Sequence, residues 1–337
     1  MSDPSKKNDP SVLQKMQAAR KAVLEEIGKV VVGQREPLEQ LLTVLFAGGH
    51  CIIQGPPATA KTLMVDSLAR VMSLDFRRIQ FTPDLMPADI SGTEILEEDQ
   101  ATGQRVLRFV KGPVFCNILM ADEINRTPPK TQSALLEVMQ ERQVTLGGRT
   151  TPLPKPFYIL ATQGTLQHEG TYPLPEAQQD RFMFLVEMNY LGEDQEVEAV
   201  RRSTGARPAE LRKLLGGEDL LEFQNAVRDV ALPPALSKYI VALVDTSRPT
   251  RAEAPGFVKD YVYWGAGLRA SQYLSLGAKS RAAQDGRSTV TAADIRGVIA
   301  PVLRHRIGLS FRAEVDGVSV DEVIRRLAEA VPAPDGK

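Results

Sequence analysis

A chain of 337 residues that is 43% hydrophobic and 25% charged has the composition of a soluble globular protein with room for two cores. Its 41 Lys+Arg against 42 Asp+Glu leave a net charge of -1, and no run of five basic residues occurs, so nucleic acid and anionic lipid surfaces have no compositional footprint. Two cysteines and three scattered histidines build neither a disulfide framework nor a metal cluster.

In chain order, residues 1–18 read as a disordered polar tail containing Pro4 and Pro10. The opening "MSDPSKKNDPSVLQK" lacks the apolar stretch of a secretory signal, and no apolar run approaches the roughly 18 residues of a membrane span. Membrane insertion is therefore not expected, and a cytoplasmic protein is. A helical region follows, and "EPLEQLLTVLFAGG" continues as a helix closed by Gly48-Gly49. Strands are predicted at Cys51–Gln54, Phe76–Phe81, Asn117–Ala121, Phe157–Thr162 and Met183–Glu187, with helices at Lys61–Met72 and Pro129–Arg142. This alternation of buried strands and helices predicts an α/β fold with a parallel sheet covered on both faces. Two hairpins interrupt it, "TEILEEDQATGQRVLRFV" around Gly103 and "QVTLGGRTTPL" around Gly147-Gly148. They are either protruding functional loops or packing decoration. From about Asn189 helical periodicity takes over, as in "DLLEFQNAVRDV", "TAADIRGVIAPVLRHRI" and "SVDEVIRRLAEAV". The expected layout is an α/β domain over 19–190 with two hairpin insertions, a smaller all-α domain over 191–332, and a disordered tail over 333–337.

The chemistry is concentrated in "CIIQGPPATAKT". A strand runs into a small-residue turn and the turn into a helix, the setting in which backbone N–H groups and a helix N-terminus cradle phosphate. Gly55, Pro56, Pro57, Ala58, Thr59, Ala60, Lys61, Thr62 and Leu63 form this candidate loop. Lys61 suits the β- and γ-phosphates of ATP, and the Thr62 hydroxyl suits Mg²⁺. The pattern G-x-x-x-x-G-K-[ST] has Ala60 in place of its second glycine. Ala60 is tolerable with a negative φ, whereas Ala58 costs about 1–2 kcal/mol if its position requires a positive one. The bland alternative is an ordinary Pro/Ala turn with an exposed lysine. About 60 residues on, "NILMADEINR" ends an apolar strand in two acids. Asp122 suits the metal and its waters, and Glu123 suits polarising the water that attacks the γ-phosphate. A solvated acidic turn is the alternative, made improbable by the loop upstream.

Together "FTPDLMPADISGTEIL", "RFVKGPVFCNILMADEINRTPPKTQSALLEVMQERQVTL", "HEGTYPLPEAQQDRF", "VVGQREPLEQLLTVLFAGGH" and "YWGAGLRASQYL" resemble a MoxR-type AAA+ ATPase over residues 20–310. The resemblance implies an AAA+ P-loop three-layer α/β/α domain with a helical lid. It also implies a homo-oligomeric, hexameric ring that remodels a protein partner, often one with a von Willebrand A domain. Position by position, it puts Val32, Gly33 and Gln34 beside the adenine. Arg181 becomes the arginine finger that reaches a neighbouring subunit, and Arg269 the second sensor arginine. An ion pair of Arg181 with Asp180 or Glu176, and a surface helix position for Arg269, are the bland alternatives. The hairpins correspond to the family's helix-2 and pre-sensor insertions.

The departures bear on rate. Besides Ala58, Gly164 stands where the family's first sensor is asparagine, leaving Thr162, Gln163, Thr165 or a water as substitutes. "GAGLRAS" also replaces the usual "GASPRAS". Mg²⁺-dependent ATP hydrolysis coupled to partner remodelling is the leading expectation. A nucleotide-gated scaffold with little hydrolysis, and a chelatase- or helicase-like motor on the same core, remain open alternatives.

Overall fold

The computed structural model describes residues 10–98, 105–164, 171–205 and 209–334. Two helices, α1 (Pro10–Ile27) and α2 (Arg35–Ala47), precede β1 (Cys51–Gln54), α3 (Lys61–Val71) and β2 (Phe76–Gln80). Next come α4 (Pro87–Ser91), β3 (Gly92–Glu98), β4 (Arg105–Lys111), β5 (Ile118–Asp122) and α5 (Pro129–Glu141). The segment closes with β6 (Gln143–Leu146), β7 (Arg149–Pro152), β8 (Tyr158–Gln163), α6 (Glu176–Gln179) and β9 (Phe184–Glu187).

The central sheet has the order β2-β5-β8-β1-β9, and every neighbouring pair is parallel. Its apolar strands bury both faces, as the sequence predicts. Because side chains alternate along a strand, Ile53, Met120 and Leu160 join α1, α2 and α3 on one side. Ile52, Leu119 and Ile159 join α5 on the other. Cys51 and Cys116 are free and buried.

Both hairpins form. β3 and β4 pair antiparallel from Gly92↔Lys111 to Glu98↔Arg105, while the Gly103 turn lies outside the described residues. Leu96 and Leu107 face each other across this ladder and are 59% and 58% exposed. Between β6 and β7, Gly147 (φ 53°) and Gly148 (φ 76°) both take left-handed angles, which a two-residue hairpin turn requires.

The second half is helical: α7 (Glu193–Ser203), α8 (Gly217–Asp229), α9 (Pro234–Thr246) and α10 (Gly256–Tyr261), then α11 (Leu268–Gln284) and α12 (Ala292–Leu303). A short antiparallel pair, β10 (Val262–Trp264) and β11 (Gly308–Leu309), was not foreseen; α13 (Phe311–Val315) and α14 (Val320–Ala330) follow. These helices share one apolar core with the first half. Phe223 of α8 meets Phe46 of α2 edge-on at 5.3 Å. Ser280 Oγ of α11 donates to the Thr43 carbonyl at 2.9 Å, and Gln284 Nε2 to Thr43 Oγ1 at 3.1 Å.

The expected tail over 1–18 needs correction, because residues 10–18 belong to α1. Pro10 opens that helix, where its missing N–H is no loss, and Leu13 and Met16 are buried. Residues 1–9 and 335–337 lie outside the described residues. No helix among those described is long and apolar enough to cross a membrane.

Burial also sets a pH response. Desolvation holds His50 at about 3, against an ordinary 6.5, and its Nδ1 accepts the Ile159 N–H at 2.9 Å. His305 is likewise depressed by burial. Between pH 6.5 and 3 the unfolded chain therefore binds a proton at His50 that the folded chain refuses. Stability is complete above 6.5 and falls as the pH drops, by up to about 1.4 kcal/mol per pH unit for each such histidine. His50→Asn, which keeps an acceptor for Ile159, is expected to flatten the loss between pH 7 and pH 5 in urea denaturation. An unchanged slope would contradict the assignment.

Candidate functional site

Gly55 to Thr62 join β1 to α3 as the strand-turn-helix pattern predicts. A Cβ on Gly55 would strike the Met188 carbonyl, so the close approach of β9 demands glycine there. Thr59 Oγ1 donates to the Pro56 carbonyl at 2.9 Å, drawing the turn closed over Pro57. Lys61 Nζ folds back to the carbonyls of Gly55 (2.9 Å) and Pro56 (2.6 Å). Burial draws its ammonium below the usual lysine range, against the raising pull of Asp122 and Glu123. α3 begins with no side-chain cap and no acid in its first turn, leaving its leading N–H groups for an anion. The Thr62 hydroxyl has no hydrogen-bond partner among the described residues, and Leu63 is exposed.

The condition under which Ala60 is tolerable is not met. Ala58 takes φ 64°, as feared, but Ala60 also takes φ 63° rather than a negative angle. The loop must turn its amides inward at both points, and each alanine costs about 1–2 kcal/mol there. Glu123 (φ 56°) is a third such non-glycine residue at this end of the sheet, while the other two among the described residues, Ser73 and Arg142, follow the ends of α3 and α5.

Asp122 ends β5, next to β8 in the sheet, and is nearly buried. Arg78 of β2 donates twice to Asp122 Oδ2, from Nε at 2.9 Å and Nη2 at 2.5 Å. Thr162 of β8 donates to Asp122 Oδ1 and accepts the Glu123 N–H at 2.8 Å. Thr162 is thus committed to fixing the acidic pair, which leaves it no role as a free substitute sensor. Glu123 Oε2 accepts from Gln80 Nε2 at 2.9 Å and Arg126 Nη1 at 2.8 Å. Arg78, Gln80 and Arg126 were not anticipated. Their only signal is the pairing of Arg78 and Gln80 with Met120 and Asp122 across β2 and β5.

Gly164 follows β8 at the same end of the sheet, and a Cβ there would meet nothing within 4 Å. Gln163 forms no side-chain hydrogen bond among the described residues, which exclude Thr165. Gly164→Asn is therefore expected to fold normally and to raise phosphate release about tenfold, by orienting a water with one added hydrogen bond. Equal rates in a steady-state assay would mean that the position is idle.

Beside the loop lies a cavity of about 660 Å³. Val32 and Gln34 line it with Ala58, Thr59, Ala60 and Leu63, and α7 closes it with Val200. Gln34 Nε2 donates to the Asn189 carbonyl at 2.8 Å, and Gly33 (φ 72°) turns against Leu191 and Gln195. Tyr190, Leu191 and Val200 were missed as lining residues. The available signal was the apolar Val197 and Val200 on α7, both more than half exposed.

Arg181 and Arg269 lie elsewhere. β1 and β9 run parallel with Cys51 opposite Phe184, and Met183 N–H bonds the His50 carbonyl. Arg181 therefore precedes the start of the strands, whereas the loop leaves their far end, four strand residues or about 13 Å away. Arg181 makes no ion pair among the described residues, so neither expected alternative partner holds it. Asp180 instead pairs with Arg306 at 2.8 Å and with Arg269 at 3.3 Å. Arg269, in the first turn of α11, thus shares the edge of Arg181 and not that of the loop.

Comparison with known proteins identifies the fold. Residues 50–184 match the model of the ATPase family associated with various cellular activities, and residues 257–327 match that of the AAA lid domain. Chaperone MoxR1 of Mycobacterium tuberculosis is 43% identical over 309 residues, 92% of this chain and 81% of that protein. YeaC of Bacillus subtilis is 38% identical over 92% of this chain and 93% of its own length. A crystal structure from Cytophaga hutchinsonii, described as a candidate ATPase, superposes with a TM-score of 0.88 at 41% identity, covering 96% of this chain and 98% of that one.

Proposed function

The chain belongs to the MoxR family of AAA+ ATPases, and from that premise we propose that it hydrolyses ATP with Mg²⁺ in a site completed by a neighbouring subunit. One observation carries the proposal: Arg181 and Arg269 share an edge about 13 Å of strand away from their own phosphate loop. Two guanidinium groups so placed serve the γ-phosphate of another copy. The site is incomplete in one chain and complete between two, as in a closed ring; six subunits follow the family pattern.

Within the acceptor chain, the α3 N-terminus and the loop amides receive the phosphates, and Lys61 exchanges its carbonyl partners for phosphate oxygens. Val32, Gly33 and Gln34 with α7 hold the base. No group of three His, Cys, Asp or Glu among the described residues could bind a cation alone. The Thr62 hydroxyl and the Asp122 carboxylate fit Mg²⁺ that arrives with the nucleotide, Asp122 through the metal's waters since Arg78 and Thr162 already occupy it. The cation would neutralise developing phosphate charge. Glu123, once released by Gln80 and Arg126, takes the proton of the attacking water. We assign the resulting motion to chaperone-like remodelling of a cytoplasmic protein partner, with a von Willebrand A domain as the family suggests. The exposed Leu96–Leu107 hairpin is a contact surface for it.

Phosphate release from Mg-ATP across protein concentrations tests this reading, with Glu123→Gln as the blank. Specific activity should rise as subunits assemble, and full activity in a monomer would refute the shared site. The hold of Gln80 and Arg126 on Glu123, with the strain at Ala58 and Ala60, favours one second reading. That is a scaffold that binds ATP, assembles and turns over little; retained affinity without phosphate release would select it.

A further inference from the structure

We propose that Arg306 and Tyr273 of the lid are positioning residues that hold Arg181 in the orientation a neighbouring site requires. This rests on the reading of Arg181 as a group that acts in another subunit. The turn between α6 and β9 carries Arg181, and its four consecutive carbonyls, 180 to 183, are all held by lid side chains. Arg306 Nη2 donates to the Asp180 carbonyl at 2.7 Å and also to that of Phe182. Its Nη1 donates to Met183 O at 3.2 Å and Val302 O at 2.5 Å, and its Nε to Asp180 Oδ1 at 2.8 Å. Tyr273 Oη donates to the Arg181 carbonyl at 2.9 Å. The Arg306 guanidinium lies over the Tyr273 ring, 5.0 Å from its centroid. His305, neutral through burial, donates Nε2–H to Phe182 O at 3.0 Å, and its Nδ1 has no partner.

Arg306 is only 1% exposed. A buried charge contributes little net stability compared with a well-packed apolar side chain, so stability alone is a weak reason to keep an arginine there. What the guanidinium supplies is a planar fork of donors that fixes several carbonyls at once. The backbone of residue 181 is thereby tied to α11 and to the turn after α12, and the same Asp180 carboxylate ties in Arg269. The two arginines are presented as one rigid unit. The Arg181 side chain remains free to engage a neighbour, because the clamp grips only its backbone and Asp180, whereas Arg269 is held through Asp180.

The test separates giving an arginine from receiving one. Glu123→Gln subunits bind ATP and donate Arg181 but do not turn over; Arg181→Ala subunits turn over only when a neighbour donates. Mixing the two should restore phosphate release above either alone. Adding Tyr273→Phe to the donor chain should lower the restored rate roughly tenfold, the worth of one lost hydrogen bond. Adding it to the acceptor chain should leave the rate within about twofold. Arg306→Lys in the donor, a point charge in place of the fork, should lower it further. Tyr273→Phe removes one oxygen and keeps the ring, so the test stands even where Arg306→Lys fails to fold. Equal losses in both placements, or none in the donor, would overturn the clamp while leaving the shared site intact. No restoration in the starting mixture would overturn the shared site, and the clamp with it.

Discussion

Arg181→Ala is expected to lower turnover of the assembled protein by at least about 10³-fold, the scale of an arginine supplied across an interface. The loss arises because charge building on the γ-phosphate oxygens would meet no opposing guanidinium. ATP affinity of the variant's own site should stay within a few fold, since Arg181 sits at the opposite end of the strands from the loop it is covalently joined to. The variant should also fold, because no side-chain ion pair of Arg181 among the described residues is lost. Phosphate release together with titration of a fluorescent ATP analogue checks both halves. A variant that loses its own affinity, or that turns over normally, would remove Arg181 from the reaction.

Glu123→Gln should lower turnover by about 10²–10⁴-fold through loss of the general base. The amide keeps the volume of the carboxylate, and its oxygen still accepts from Gln80 and Arg126, so the surroundings have no reason to rearrange. Asp122, Thr162 and Lys61 are untouched, and ATP should therefore bind and remain unhydrolysed. Rapid filtration after mixing with labelled ATP would find the triphosphate retained. If the rate were within twofold of the parent, the proton would have to leave through another group, and Asp122 with its two donors is poorly placed to take it.

What could be read in the sequence was what is contiguous there. The apolar runs that became β1, β5 and β8 are short, bounded and followed by helix-period segments, and their positions matched within a residue or so. The phosphate loop and the acidic pair are local motifs, and so was the Gly147-Gly148 turn. The partners of those groups were not legible. Arg78 and Arg126 meet the two acids only once β2 lies beside β5 and the turn after Glu123 closes. Arg306 is 126 residues from Asp180, and nothing in "LRHRI" distinguishes an arginine that will be buried from one on a helix surface. The angle at Ala60 was not legible, because alanine's own preference opposes what the loop imposes. Pro10 was counted within a disordered tail, whereas it opens α1.

The apolar core that runs without interruption from α2 through α8 and α11 carries a consequence for anyone dividing this chain. Thr43, in the first half, is bonded by Ser280 and Gln284 from the second, and Phe46 rests on Phe223. A fragment stopping near residue 190 would keep every residue of the phosphate loop and the acidic pair. It would also expose the face of α2 that α8 and α11 cover, and leave four backbone carbonyls beside Arg181 without donors. Such a fragment would aggregate rather than bind nucleotide, so the catalytic half of this protein is not a separable cassette for fusion or domain exchange.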